Sequence, residues 1–293
     1  MTGKPLSVLL DEVLAAADLV LPLPAVVASQ GLAVVDGQPS VAELSELLSH
    51  DPILAGTLFR LANSSFYRGL APVAGIDEAL TRVGPERVGS EVRQCCAAAL
   101  AAPSGVLLPA YLLGLEQHSL GCALGARWLA ERCGYRQLAE PAHLAGLLHD
   151  LGKYALLAGL ERLAADETIA PLLSPQLVEG ILADRHVAAG LRLHAEWGLP
   201  AAFAAVIGRH HDSLNDGQEL LVVLVRLANL ACRKLGLGWT AEADLVLPTT
   251  AEAQALGLDE IALAELEIVL EDRVLLALDN PACAGYHLNM VQP

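Results

Sequence analysis

The sequence predicts an all-α fold. Apolar residues recur at helical spacing along most of the chain, and no stretch sustains the two-residue alternation of a half-buried strand. Aromatic residues make up only 4% of the 293 residues, so the core must be built mainly from alanine, leucine and valine. Such side chains favour packing of helix on helix. A chain of this length can bury a substantial core.

Residues 1–102 are predicted to form short helices separated by proline and glycine. Ser40, with Glu43 three residues later, has the pattern of a capping box at the start of a helix. The dipeptide Asp51-Pro52 is expected to form the cap and first turn of the next helix, which should end near Asn63. We expect this half of the chain to have no chemistry of its own.

A boundary between two helical units is predicted in region 102–109, which proline and glycine interrupt. The stretch 94–115 has no charged side chain and is long enough to cross a bilayer. The same prolines and glycine break it, however, so a linker is the better interpretation. We therefore expect an N-terminal helical subdomain over residues 1–104 and a second helical subdomain over residues 105–293.

Charge and cysteine usage limit the classes of partner. Lys and Arg number 18 against 34 Asp and Glu, for a net charge of -16. This balance argues against nucleic acid as a partner, although bound metal would still allow a small anionic ligand. Six cysteines without a CxxC spacing indicate free thiols in a reducing compartment. Asp11 and Glu12 break the candidate N-terminal signal segment, so we expect a cytoplasmic protein without membrane association.

The most informative feature is the pair His149-Asp150 at the end of an apolar helical stretch. Adjacent helical residues point about 100° apart, so both side chains can reach one centre only beyond the helix end. Burial of the two groups among leucines is costly unless a partner satisfies them. A divalent metal would do so, and a structural hydrogen bond is the alternative.

Other histidines could supply further ligands to the same centre. The candidates are His118, His186, His210 and His211. We expect all four at helix starts or ends, with His118 opening a helical stretch. The alternative is a polar core that holds histidines without metal. His143 is predicted to pack or face solvent, because it lies about 240° around the helix from His149.

The order of these residues resembles the metal-binding pattern of the HD phosphohydrolase superfamily. Three landmarks narrow the resemblance, namely Asp51-Pro52, Asn63-Ser64-Ser65 and Trp197-Gly198-Leu199-Pro200. Over roughly residues 15–230 the chain resembles the HDOD family, the HD-related output domains of bacterial signal transduction. The resemblance implies an N-terminal helical bundle packed on an HD-phosphohydrolase-like helical domain.

The resemblance also implies a set of metal ligands for one or two divalent ions of Fe, Mn or Zn. The set is His118, His149, Asp150, His186, His210 and His211, with Asn229 at the position of the superfamily's last Asp. An amide oxygen is uncharged and a weaker ligand, so this departure puts full occupancy in doubt. Asp184, Asp212 or Glu116 could compensate if the fold brings one of them close.

Two functions remain open. The first, which we favour, is a signalling output or interaction protein whose pocket still binds divalent metal, with a signalling protein or a small phosphorylated ligand as partner. The second is a metal-dependent phosphohydrolase acting on phosphomonoesters or phosphodiesters. In that case Lys153, which matches a lysine that contacts substrate phosphate in HD enzymes, would neutralise substrate charge. The chain has no Gly-Tyr-Pro after His210-His211, so the HD-GYP type is a poor fit.

Overall fold

The structure, a computed structural model, describes residues 4–16, 19–67, 73–101, 105, 108–214 and 219–278. These residues contain helices and no strand, which confirms the all-α prediction. The α-helices are α1 (Leu6–Leu14), α2 (Ala25–Asp36), α3 (Val41–His50), α4 (Pro52–Ala62), α5 (Ile76–Val83), α6 (Pro85–Ala101), α7 (Leu108–Arg132), α8 (Ala139–Leu148), α9 (Leu151–Ala164), α10 (Pro175–Trp197), α11 (Ala201–Arg209), α12 (Leu220–Lys234), α13 (Ala251–Ala255) and α14 (Glu260–Leu278). Within the described ranges, none of the helices has the length and apolar character that a membrane span requires.

Helices α2 to α6 form a bundle in which α2 packs along α6 and α4 packs on α5. The predicted caps in this bundle are confirmed. Ser40 Oγ accepts a hydrogen bond from the Glu43 amide at 3.2 Å, and Glu43 Oε2 accepts one from the Ser40 amide at 2.8 Å. Asp51 Oδ1 accepts a hydrogen bond from the Leu54 amide at 2.7 Å and so caps α4.

The second half of the chain is built around α7, which packs against α8, α12 and α14, while α9 packs along α10. The predicted linker over 94–115 is wrong at both ends, because α6 continues to Ala101 and α7 begins at Leu108. Helix α1 lies in the predicted first subdomain but packs on α9. One hydrophobic core includes residues from both halves. The boundary at residue 104 stays a prediction.

The end of α4 is hydrogen-bonded to the end of α10. Asn63 follows the last residue of α4, as predicted, and its side-chain amide donates to the Gly198 carbonyl at 2.7 Å. Its carbonyl oxygen accepts a hydrogen bond from the Val73 amide at 3.2 Å. Helix α10 stops at the largely buried Trp197, and Gly198 ends it with a left-handed φ of 61°. Asn63 therefore links the two halves of the protein.

A buried pair of carboxyl groups also lies between the two halves. Asp51 and Glu116 are 2% and 8% exposed, and their carboxyl groups contact each other. Asp51 Oδ2 and Glu116 Oε1 have no hydrogen-bond partner among the described residues. Burial raises the pKa of Asp51 to about 6 and, with the charge of Asp51, raises the pKa of Glu116 well above its ordinary value. The pair therefore holds at least one proton near neutral pH.

Candidate metal centre

His149 and Asp150 lie in the turn between α8 and α9, at the helix end where the sequence predicts them, and each is 1% exposed. The turn is brought close to α10 by Gly152. A Cβ atom at Gly152 would lie 1.9 Å from the backbone oxygen of His186, so a larger residue would push α9 away from α10. The glycine therefore allows Asp150 to approach the side chain of His186.

The positions of the other histidines agree with the prediction only in part. His210 and His211 directly follow α11, as expected. His118 lies well inside α7 and His186 lies in the middle of α10, so the expectation of helix ends is wrong for these two residues. Helices that cross in space bring side chains together at the crossing point, wherever that point falls along each helix.

The carboxylate of Asp150 is at the centre of the cluster. Its Oδ1 atom lies 3.6 Å from His186 Nε2 and 3.5 Å from His210 Nε2. Its Oδ2 atom lies 3.6 Å from His118 Nε2 and 3.3 Å from His149 Nε2. The two oxygens of one carboxylate therefore face two different pairs of imidazoles.

The third histidine on the Oδ1 side is His211. His186 Nε2 lies 2.9 Å from His211 Nε2 and 3.2 Å from His210 Nε2. With Asp150, these three rings form a group of four donors whose ligand atoms all lie within 4.8 Å of one another. His211 is the exposed member of the group, and the other three are buried.

Hydrogen bonds to the backbone determine which ring nitrogen carries the proton. The Nδ1 atoms face carbonyl oxygens, those of Gly146 for His149 (2.7 Å), Leu237 for His118 (3.1 Å), Leu182 for His186 (2.7 Å) and Ile207 for His210 (3.0 Å). A carbonyl oxygen only accepts hydrogen bonds, so each Nδ1 is the donor. In the neutral ring, Nε2 then has a free lone pair directed at the cluster.

Four of the imidazoles near Asp150 are held in their neutral form. Burial lowers the pKa of His118 and of His211 to about 3 and that of His186 to about 4, and it also lowers the pKa of His210. Burial acts in the opposite direction on Asp150, but the Lys153 ammonium keeps the pKa of that carboxyl well below its ordinary value. Neutral imidazoles and an ionised carboxylate are the protonation states that metal binding requires.

Two observations test whether a metal ion fits these residues. His149 Nε2 and Asp150 Oδ1 are buried and have no hydrogen-bond partner among the described residues. Ligand atoms about 2.1 Å from one cation are separated by about 3.0 Å at right angles and about 3.4 Å at tetrahedral angles. His186 Nε2 lies 2.9 and 3.2 Å from the Nε2 atoms of His211 and His210, and Asp150 Oδ1 lies 3.5 and 3.6 Å from His210 and His186, within about 0.2 Å of this range, so the residues fit a divalent ion.

Cys122 is a neighbour of the cluster that the sequence analysis missed. It lies one helical turn after His118 on α7, and its Sγ atom is 3.6 Å from His118 Nε2. With His118 and His149 it forms a second group of three possible donors. Burial and the nearby Cys232 raise its pKa well above the ordinary value, so the group is a neutral thiol and a poor ligand. The spacing His118-x-x-x-Cys122 in the sequence could have indicated this contact.

None of the three proposed substitutes for a second carboxylate belongs to the two donor groups. Glu116 contacts Asp51, and Asp184 is exposed. Asp212 is exposed and lies 3.6 Å from Arg209 Nε. Asp150 is therefore the only carboxylate in the two groups found among the described residues.

A cavity of about 550 Å³ lies beside the cluster. Three of the histidines, Lys153 and the buried Asn229 line it, together with Arg233 and Trp239, which the sequence analysis did not single out. Lys153 Nζ donates to Asp150 Oδ2 at 2.6 Å and lies 5.3 Å from the centre of a Trp239 ring. No spacing along the chain indicates that Trp239 would face this cavity.

An all-α fold with a buried His-Asp centre at a helix junction defines a protein of the HD type. The family profile of the HDOD domain matches residues 20–213, and the chain belongs to this family. The predicted resemblance is thereby confirmed. No curated protein matches the chain.

Solved structures share the fold. The MmoQ response regulator of Methylococcus capsulatus is 22% identical with a TM-score of 0.69, over 87% of this chain and 99% of that one. A virulence factor of Campylobacter jejuni is 16% identical with a TM-score of 0.57, over 92% and 97%. An HDOD domain protein of Geobacter sulfurreducens is 23% identical with a TM-score of 0.50, over 93% and 97%. At these identities the likeness concerns the fold alone.

Proposed function

We propose that this chain is an HDOD-type signalling output or interaction protein whose HD-like pocket binds a divalent metal ion. One observation carries the metal binding. The Nε2 atoms of His186 and His210, both left unprotonated by the Nδ1 bonds to backbone carbonyls, face each other at 3.2 Å, and His211 Nε2 lies 2.9 Å from His186 Nε2. The two lone pairs of His186 and His210 repel each other at this distance unless a cation lies between them, and a divalent metal is the cation that imidazoles bind best.

The donor chemistry selects the class of metal. Three imidazoles and one carboxylate are borderline ligands that suit Fe, Mn or Zn better than Mg or Ca, which prefer sets of oxygen ligands. The imidazoles of His186 and His210 are already oriented by hydrogen bonds from Nδ1 to backbone carbonyls, as in metal sites where such bonds fix the ring and the tautomer. Little reorganisation would therefore accompany binding.

The proposed role in signalling rests on membership of the HDOD family and on the single carboxylate of the donor groups. The HDOD domain is the output domain of signalling proteins, and the structurally similar MmoQ is described as a response regulator. Asn229 supplies no charge where active relatives would have a second carboxylate, which favours retention of the pocket without strong catalysis. We propose a signalling protein or a small phosphorylated ligand as the partner, in the cytoplasm.

The test is the metal content of protein purified without chelator or added metal. We expect a stoichiometric amount of Fe, Mn or Zn by elemental analysis, and its loss in His186→Ala. His50→Ala, at an exposed position outside the cluster, is the control and should keep the metal. Near-zero metal in the wild-type protein, with no uptake on addition of these ions, would overturn the proposal.

The runner-up function is a metal-dependent phosphohydrolase, and the position of Lys153 is what favours it. Lys153 lies beside Asp150 and lines the adjoining cavity, so it could contact phosphate oxygens, while Arg233 in the same lining is paired with Glu242. A bound divalent ion would supply Lewis-acid chemistry to the phosphoester. Metal-loaded protein is assayed on p-nitrophenyl phosphate and on bis(p-nitrophenyl) phosphate. Turnover that disappears in Lys153→Met would put the hydrolase first, and absence of turnover supports the output protein.

A further inference from the structure

We infer that the pocket binds a single divalent ion, on the Oδ1 side of Asp150, and that the ammonium group of Lys153 replaces a second cation on the Oδ2 side. The inference rests on the proposed metal binding and gives its stoichiometry. It also assigns Lys153 a role that does not require catalysis. The two oxygens of the Asp150 carboxylate contact different groups, and the inference rests on this difference.

The Oδ1 side has a complete set of ligands. Asp150 Oδ1 lies 3.6 and 3.5 Å from the Nε2 atoms of His186 and His210. His211 adds a third imidazole 2.9 Å from His186 Nε2. Four ligands of this kind complete a first coordination shell for Zn, and they leave further positions open for Fe or Mn. Asp150 Oδ1 has no other partner among the described residues.

The Oδ2 side already contains a cation. Lys153 Nζ donates to Asp150 Oδ2 at 2.6 Å, which is the distance of a strong charge-assisted hydrogen bond. The two imidazoles on this side, His118 and His149, have Nε2 atoms 3.6 and 3.3 Å from the same oxygen. A metal ion on this side would have to share its only anionic ligand with an ammonium group.

The charge of the donor groups and of Lys153 permits one divalent ion and opposes two. Asp150 is the only carboxylate of the two donor groups, and Asn229 is uncharged. Lys153 cancels the charge of Asp150, so one divalent ion leaves the centre with two positive charges and a second ion would leave it with four. Uncompensated charge in a buried site is costly because the surroundings solvate it poorly.

Lys153 is held in this position by its surroundings. Its side chain is 15% exposed, and its ammonium lies 5.3 Å from the centre of a Trp239 ring, within the range of a cation–π contact. Trp239 is itself packed edge-on against Tyr111, with ring centres 5.7 Å apart. Lys153 is therefore held in place in the wall of the pocket, unlike a mobile surface side chain.

The first experiment counts metal ions per chain. Chelator-stripped wild-type protein is titrated with Mn(II) or Co(II) by calorimetry, and bound metal is measured after gel filtration. We expect one equivalent for the wild type and two for Lys153→Met, which keeps the side-chain length and removes the charge. Lys234→Met removes a lysine paired with Glu267 elsewhere, and it should bind one equivalent like the wild type.

A second experiment locates the ion. His211 belongs only to the Oδ1 side, and His118 belongs only to the Oδ2 side. We expect His211→Ala to weaken binding of the first equivalent by at least about tenfold, and His118→Ala to weaken it much less. Equal losses in the two variants would overturn the location. Circular dichroism and gel filtration identify any variant that fails to fold, and Lys153→Gln then replaces Lys153→Met in the count.

The outcomes separate this inference from the proposed function. Two equivalents in the wild-type protein would overturn the inference and keep the metal-binding proposal. One equivalent in both wild type and Lys153→Met would overturn the role of Lys153. No binding at all in the wild type would overturn the proposed function itself. Mn(II) electron paramagnetic resonance adds an independent readout, because a spin-coupled pair of ions is expected in Lys153→Met alone.

Discussion

Replacement of Asp51 by asparagine tests the buried carboxyl pair between the two halves of the protein. Burial raises the pKa of Asp51 from 3.8 to about 6. One pKa unit corresponds to about 1.4 kcal/mol, so this shift amounts to about 3 kcal/mol. The folded-state pKa is the higher one, so the contribution to stability is fully present below pH 3.8 and is lost as the pH rises through about 6.

The Asp51→Asn variant should lose much less stability than the wild type as the pH rises. Asparagine caps a helix about as well as aspartate does, so the hydrogen bond to the Leu54 amide can be kept. Near pH 4 we expect the free energy of unfolding to match the wild type within about 0.5 kcal/mol. Near pH 7.5 the variant should be more stable by about 1–3 kcal/mol, since it has no carboxyl group at position 51 that must ionise in the buried pair.

The assay is urea unfolding of metal-free protein, followed by circular dichroism at several pH values between 4 and 7.5. The difference between variant and wild type removes the contribution of all other titrating groups, including the histidines. Asp259→Asn is the matched control, because Asp259 is exposed and accepts a hydrogen bond from the Ala262 amide at the start of α14. It measures the effect of an Asp-to-Asn change at a helix start that is not buried. A stability difference for Asp51→Asn that does not change with pH would refute the reasoning.

Three further substitutions have defined outcomes. Gly152→Ala places a Cβ atom 1.9 Å from the His186 carbonyl oxygen. We therefore expect the free energy of unfolding to fall by about 1–3 kcal/mol and metal binding to weaken. A variant with wild-type melting temperature and metal content would contradict this. Asn63→Ala leaves the Gly198 carbonyl without its donor, which should cost about 1–3 kcal/mol of unfolding free energy; an unchanged urea midpoint would show that water replaces the amide. Asn229→Asp adds a carboxylate beside the cluster and should raise metal affinity about tenfold, measured by competition with a chromophoric chelator, and an unchanged affinity would mean that residue 229 does not reach the ion.

Local features of the fold were predictable because short stretches of chain determine them. The capping box at Ser40 and the cap at Asp51 each involve residues three positions apart. The end of α10 at Trp197 follows from Gly198, whose positive φ favours glycine. Helix content and the absence of strands from the described residues follow from apolar spacing. In each case the physical cause lies within one or two turns of helix.

The predicted linker failed for a physical reason that involves distant contacts. Pro103, Ser104, Gly105 and Pro109 interrupt the stretch 94–115, which suggested a break between two units. The two helices that include its ends are instead stabilised by packing on α2, α8 and α12. Tertiary packing of this kind outweighs weak local preferences for helix or loop. The same effect places α1 on α9, away from the bundle that follows it in sequence.

The amino-acid sequence by itself determined the family, the helical class and the identity of the candidate ligands, because residue type and order carry that information directly. The tertiary structure decided which of these side chains meet and through which atoms. Asp150 turns one oxygen to His186 and His210 and the other to Lys153, His118 and His149. Such an arrangement depends on helix crossings between α7, α9 and α10 and on the direction of each hydrogen bond. Residues 30 or more positions apart are brought within 4 Å only by the packing of the core, and the spacing of residues along the chain does not contain that geometry.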